Sequence, residues 1–138
     1  MAKITKILSL ILLFFIISLF SSTPTSALGG KKLGGRTQIQ DVKTNKEIQD
    51  LGKFCVEEYN RNLQKQKQKV NNNNNNGLLS FSEVVEAEKQ VVSGIKYYLK
   101  ISATTSSGSP KMFDAVLVVK AWEKKKELLN FSPSPATK

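Results

Sequence analysis

Between Ile95 and Ala103 the chain alternates: Ile95, Tyr97, Leu99, Ile101 and Ala103 are separated by Lys96, Tyr98, Lys100 and Ser102. A period of two is the pattern of a strand with one buried face, because successive side chains of a strand point to opposite sides. Upstream, Leu79, Phe81, Val84, Val85, Ala87 and Val91 form a longer, less regular strand-like run. The two runs meet at Gln90-Val91-Val92-Ser93-Gly94, where the chain must reverse. Gly94 suits a reversal because glycine accepts positive φ without a Cβ clash. Two adjacent valines do not suit one, since turns favour Asn, Asp, Gly, Pro and Ser. Apolar side chains displayed at such a tip mark a surface meant to be buried against something else.

The segments around this hairpin define a fold class. Ile48, Leu51, Cys55 and Tyr59 recur at spacings of three and four, with Phe54 and Val56 widening the stripe and Leu63 extending it. This predicts an amphipathic helix of roughly five turns. Thr44 or Asn45 is its cap, and Gln49, Lys53, Glu57, Arg61 and Gln64 lie on its solvent face. A short first strand is expected over Gln38–Val42. Strands are expected over Leu78–Val92, Ile95–Thr104 and Lys111–Trp122, with a closing strand around Leu128, Leu129 and Phe131. Asn71 through Asn76 and Gly77 form an exposed loop, and residues 105–110 a turn. One helix followed by an antiparallel meander is an α+β arrangement, with the helix's apolar face on the sheet.

The start of the chain reads as a targeting segment. Lys3 and Lys6 precede an apolar run from Ile7 to Phe20, followed by small residues through Ala27. This is the layout of a secretory signal peptide, with cleavage expected after Ala27 or, earlier, at Ser22. The apolar run, about 14 residues, is short of the ~20 that span a bilayer, so no membrane association is expected once residues 1–27 are removed. The remaining 111 residues suffice for a single domain at residues 28–138, with a flexible trunk at 28–36 and a flexible tail at 132–138. Removal takes two lysines and no acid, so the net charge falls from +10 to +8. The lysines are dispersed rather than striped, which argues for a solvated surface and against nucleic acid.

The composition also excludes chemistry. The chain has no histidine and one cysteine, Cys55. No Ser-His or Cys-His catalytic pair can form, the commonest zinc ligand is missing, and no internal disulfide is available. Cys55 falls within the apolar helical stripe, where a free thiol behaves as a small hydrophobe. No enzyme, metal or cofactor is expected.

Several segments together carry a family resemblance. Leu51-Gly52-Lys53-Phe54-Cys55-Val56-Glu57-Glu58-Tyr59-Asn60 resembles the helix signature of the plant cystatins. Gln90-Val91-Val92-Ser93-Gly94 matches the Gln-x-Val-x-Gly hairpin of cystatins generally. Gly34-Gly35 stands where that family has its N-terminal glycines, and Lys120-Ala121-Trp122 with Lys126-Glu127-Leu128 resembles its second hairpin and last strand. The resemblance implies one long helix wrapped by a four- to five-stranded antiparallel sheet. It also implies a reversible, tight-binding competitive inhibitor of papain-like cysteine proteases. The protease-binding residues would be Gly34 and Gly35 in the trunk, Gln90, Val91, Val92, Ser93 and Gly94 in the first hairpin, and Ala121 and Trp122 in the second.

Two departures stand out. The family usually has proline where this chain has Ala121, and alanine or serine where it has Cys55. A monomer is expected, with strand exchange at the first hairpin as the route to a dimer. Secretion is the expected destination, with vacuolar delivery as the variant. The alternative function is a secreted cystatin-fold binding protein that uses its basic surface and inhibits no protease.

Overall fold

The structure is a computed structural model and describes residues 35–136. The expected signal segment therefore lies outside the described residues. Strand β1 (Thr37–Gln38) leads through a 3-10 turn (Val42–Thr44) into helix α1 (Lys46–Lys69). Strands β2 (Leu79–Val92), β3 (Gly94–Thr105), β4 (Pro110–Lys120) and β5 (Lys125–Pro133) follow. They form one antiparallel sheet in the order β1-β2-β3-β4-β5, a pure meander. Helix α1 packs on one face of the sheet.

The helix begins where a capping side chain is available. Asn45 Oδ1 accepts from the Ile48 amide at 3.3 Å, and Glu47 sits in the positive first turn. Of the expected stripe Ile48, Leu51, Cys55 and Val56 are buried and Phe54, Tyr59 and Leu63 half-buried, and Gly52 is buried with them. The helix spans 24 residues, longer than the roughly five turns the stripe predicts. Past Leu63 the apolar signal stops, but Lys and Gln are good helix formers, and Lys67 and Lys69 offset the negative end of the dipole. The asparagine loop is exposed throughout and has local order. Asn72 and Asn74 side chains each accept from the amide two residues on, at 3.2 Å, and the Lys67 ammonium donates to the Asn74 and Asn76 carbonyls.

Three strand boundaries and one side-chain placement differ from the sequence expectation, each for a local reason. The strand expected over Gln38–Val42 ends at Gln38. Asp41 adopts a left-handed φ of 53°, and its carbonyl accepts from the amides of Thr44 and Asn45, which turns Val42 into the core. The strand expected to reach Trp122 ends at Lys120, and Ala121–Glu123 form a 3-10 turn. The closing strand reaches Pro133, so Ser132 and Pro133 belong to the sheet rather than to a flexible tail. Ser134 holds this end down: its amide donates to Met112 O at 2.9 Å and its hydroxyl to Asp114 Oδ1 at 2.6 Å. Last, Gln49 does not lie on the solvent face with Lys53, Glu57, Arg61 and Gln64.

Gln49 reaches across to the sheet because β2 is irregular there. The β2–β3 register shifts between Phe81 and Glu83 and again between Val84 and Glu86. Bulges of this kind leave backbone groups out of the ladder and sharpen the strand's bend. Gln49 Oε1 accepts from the Val84 amide at 2.9 Å, and Gln49 Nε2 donates to Val84 O at 3.0 Å and to Val42 O at 2.9 Å. Asn60 does the same for the start of β2, donating to Leu79 O at 2.8 Å and accepting from its amide at 2.9 Å. Between these two anchors the helix and strand come very close. A Cβ on Gly52 would lie 2.2 Å from Val84 Cγ2 and 3.0 Å from Phe81 Cε2.

The core fills the space between helix and sheet. Tyr97, Leu99, Ile101 and Ala103 of β3 are buried in alternation, and Phe113, Ala115 and Leu117 of β4 continue the layer. Phe131 closes the β5 side, its ring 4.7 Å from Tyr59 and 5.1 Å from Phe113. Each fully buried side chain of this kind stabilises by about 1.5–3 kcal/mol. Cys55 is fully buried among these residues, and desolvation pushes its thiol up to about 12.

Two outcomes test this packing. Gly52→Ala should destabilise the domain by ~2 kcal/mol in urea denaturation, since overpacking against Val84 outweighs the better helix propensity of alanine. A variant as stable as the wild type would show that helix and strand do not meet this closely. The Cys55 thiol should be inert to a disulfide reagent at ~pH 8 in the folded protein and react fully in concentrated guanidinium chloride. Rapid labelling without denaturant would contradict the burial.

Candidate functional site

The β2–β3 reversal is tighter than a five-residue tip. Val92 pairs with Gly94, and only Ser93 stands outside the two strands. A turn this short needs a residue in the left-handed region, and Gly94 supplies it with φ +109°. Because pairing persists to the end, the valines are held rigidly. Val91 is 69% exposed and Val92 44%. Their side chains alternate to opposite faces, so apolar surface is shown on both sides of the hairpin.

The second hairpin ends beside the first. Ile95 pairs with Val91 on one side and with Val119 on the other, so the β2–β3 and β4–β5 connections share one end of the sheet. Ala121, Trp122 and Glu123 form the 3-10 turn, closed by the Lys124 amide donating to Ala121 O at 3.2 Å. Trp122 is 65% exposed. A Cβ on Gly94 would lie 2.7 Å from Val119 O and 3.4 Å from Trp122 Cη2, so the β4 backbone enters the space a side chain would fill and the indole stands beside the first tip. Gly94 thus serves two needs, its own φ and the approach of the β4 backbone at Val119.

The N-terminal segment reaches the same end. Thr37 pairs with Lys89 and Gln38 with Glu88, and this register, carried two residues back, brings Gly35 level with Val91. Gly35 is exposed. Gly34 lies outside the described residues. The structure therefore gathers Gly35, Gln90, Val91, Val92, Ser93, Gly94, Ala121 and Trp122 at one end of the sheet.

Two further residues join this group that sequence pattern alone did not single out. Tyr98 Oη donates to Gln90 Oε1 at 2.8 Å, which orients the glutamine at the base of the first tip. The Arg36 guanidinium lies 3.5 Å over the Tyr98 ring and 3.7 Å from Glu88 Oε2, tying the residue after Gly35 to the outer face of the hairpin. A signal existed: Tyr98 is an aromatic residue in the polar phase of a strictly alternating strand.

The edge is suited to binding rather than to bond-making. It presents rigid apolar side chains and exposed backbone, and the one thiol is remote and held protonated by burial. Among the described residues no cluster of His, Cys, Asp or Glu could hold a metal ion.

Comparison with known proteins identifies the family and the fold. Residues 39–134 match a family described as "SQAPI: Aspartic acid proteinase inhibitor". Cysteine proteinase inhibitor 10 of Oryza sativa subsp. indica is 47% identical over 113 residues, covering 77% of this chain and 75% of the rice protein. Cysteine proteinase inhibitor 2 of Arabidopsis thaliana is 40% identical over 141 residues, covering 96% and 94%. A salivary cystatin of the soft tick Ornithodoros moubata superposes with a TM-score of 0.56 over 74% of this chain and 98% of its own, at 18% identity, a likeness of fold. By its match to this family of cystatin-like inhibitors and its identity to the rice and Arabidopsis proteins, the chain belongs to the plant cystatins.

Proposed function

We propose that the protein is a reversible, tight-binding inhibitor of papain-like cysteine proteases that fills the protease cleft with the edge described above. The observation that carries this is the contact between the two hairpins: Trp122 seated against Gly94, beside exposed Val91 and Val92, makes one continuous apolar ridge. The relatives' designation as cysteine proteinase inhibitors supports the target class. Burial of Val91, Val92 and Trp122 in a cleft supplies the affinity, and Trp122 is the residue type enriched at binding hot spots. Since β2 and β3 stay paired up to Gly94, the valine segment is held in the ladder rather than offered as a free extended peptide. The trunk at Gly34-Gly35 approaches the same cleft, with Arg36 and Tyr98 fixing where it leaves the sheet.

Ala121 weakens this wedge by leaving its turn freer than proline would. Ala121 is the first residue of a 3-10 turn, where proline's fixed φ is well tolerated. The basic start, apolar run and small residues of the first 27 positions support delivery to the secretory pathway, and with it a defensive or vacuolar role. The working form is a monomer, since exchange of the first hairpin would cover Val91 and Val92.

Titration of papain with residues 28–138 tests the proposal. Activity should fall in proportion to added protein at micromolar concentration, and recover on dilution. Trp122→Ala should raise Ki by about 30-fold or more, and Gly94→Glu by more, since the side chain meets Val119 O and displaces the indole. No loss of papain activity at ~10 μM excess would sink the proposal. Inhibition of pepsin instead would transfer the function to the aspartic class named in the family description. Binding that survives both substitutions but is abolished by salt would favour the basic surface as the working face.

Ala121→Pro should lower Ki about two- to fivefold by pre-ordering the turn. An unchanged or raised Ki would show that the turn is already ordered, or that proline does not fit it.

A further inference from the structure

We propose that a collar of lysines around the two hairpin tips selects proteases whose cleft is rimmed by carboxylates, and does so by accelerating encounter; this rests on the inhibitory function above. Lys89 and Lys96 flank the first tip with no acidic residue between them. Lys120, Lys124, Lys125 and Lys126 surround the second, against Glu123 and Glu127. Four of these are exposed, and Lys96 and Lys120 are half-buried. The ion pairs among the described residues are Arg36–Glu88, Lys43–Glu83, Lys53–Glu57, Arg61–Glu58 and Lys100–Glu86. None of the collar lysines joins one; Lys96 lies 5.4 Å over the Tyr98 ring and Lys126 5.8 Å over that of Phe54, contacts with a ring face that leave both charges unneutralised. Glu88, the acid closest in sequence to Lys89, is taken by Arg36.

Two placements work against the fold. Lys120 stands directly opposite Lys125 in the ladder, and like charges facing each other across strands are destabilising. Lys124 is held at φ 48°, a left-handed position that Gly or Asn fills with less strain. Lysine on an edge strand deters edge-to-edge pairing, which accounts for Lys125 and Lys126 on β5. It does not account for Lys96 and Lys120, which are on the interior strands β3 and β4. Charge concentrated there, at the rim of an apolar ridge, is matched by a partner that offers an apolar cleft with acids around it. A uniform polyanion offers no cleft for Val91, Val92 and Trp122.

Rim charges act on association rate and its salt dependence more than on dissociation. The test measures association and dissociation rate constants against papain, and against papain with its lysines succinylated, which converts ammonium groups to carboxylates. Both are titrated for active sites and assayed at low and high ionic strength. Association with the succinylated form should slow about tenfold between ~0.02 and ~0.2 M salt. Lys120→Gln combined with Lys125→Gln should reduce the low-salt rate about three- to tenfold and leave dissociation unchanged. Lys65→Gln combined with Lys69→Gln removes the same charge at the far end of α1 and should change the rate by less than about 1.5-fold. Equal slowing by the two pairs would reduce the effect to net charge and overturn the collar. A rate insensitive to salt, with both papain forms inhibited, would also overturn it while leaving the inhibitory function intact. Failure to inhibit either form would overturn that function itself.

Discussion

The contact on which the rest of the structure depends is the one between α1 and the bulged part of β2. A long helix lying on a sheet needs either a flat strand or a strand whose irregularities are met by the helix. Here β2 shifts register twice within a few residues, and each shift removes backbone groups from the ladder. A buried amide without a partner costs about 1–3 kcal/mol, so such a strand is tolerable only if something else satisfies it. Gln49 does so for Val84 beside the second shift, while Asn60 holds the start of β2 through Leu79. Gly52 lies between them and lets Val84 into van der Waals contact with the helix backbone. Two amides and a missing side chain thereby set both the height of the helix above the sheet and its position along β2.

That placement governs the edge proposed to bind. With β2 fixed against α1, β3 is positioned by a continuous ladder, and its buried row of Tyr97, Leu99, Ile101 and Ala103 fixes which face turns inward. A slip of one residue would turn that row out to solvent, so the register is strongly determined. Ile95 then stands level with both Val91 and Val119, and the two connections come together without any direct attraction between them being needed. The closeness of Trp122 to Gly94 is therefore a consequence of core packing some distance away.

Much of this is visible in the sequence because the responsible residues repeat. The α1 stripe and the alternation of β3 each show up several times over, so one irregular residue does not hide them. The valine tip was legible from the pattern, because two apolar residues stand where the chain must reverse, but its union with Ala121 and Trp122 became legible only through the family resemblance. Single-residue devices were not legible. Nothing in the pattern distinguishes Gln49, which mends a bulge, from Lys53 or Glu57, which face water. Asp41 breaks the first strand by a backbone choice that its type permits without requiring. Ser134 anchors the chain end through a partner, Asp114, twenty positions away. Arg36 and Tyr98 belong to the same group, since their importance lies in what they touch.

This division has a consequence for how such an inhibitor can change. Val91, Val92, Ser93, Ala121 and Trp122 are all exposed, so the fold loses little when they vary. The residues that decide where those side chains stand are the opposite kind, buried or bonded to backbone, and they tolerate little. Gly94 belongs to both sets, since its φ shapes the turn and its missing side chain admits the Val119 carbonyl of β4. In the proposed mode of binding, affinity can therefore drift at the tips while stability is held in the core, and alanine at position 121, where the family resemblance implies proline, is a change of that kind. It alters the freedom of a turn that contributes no buried residue, and so its effect falls on the complex and not on the folded monomer.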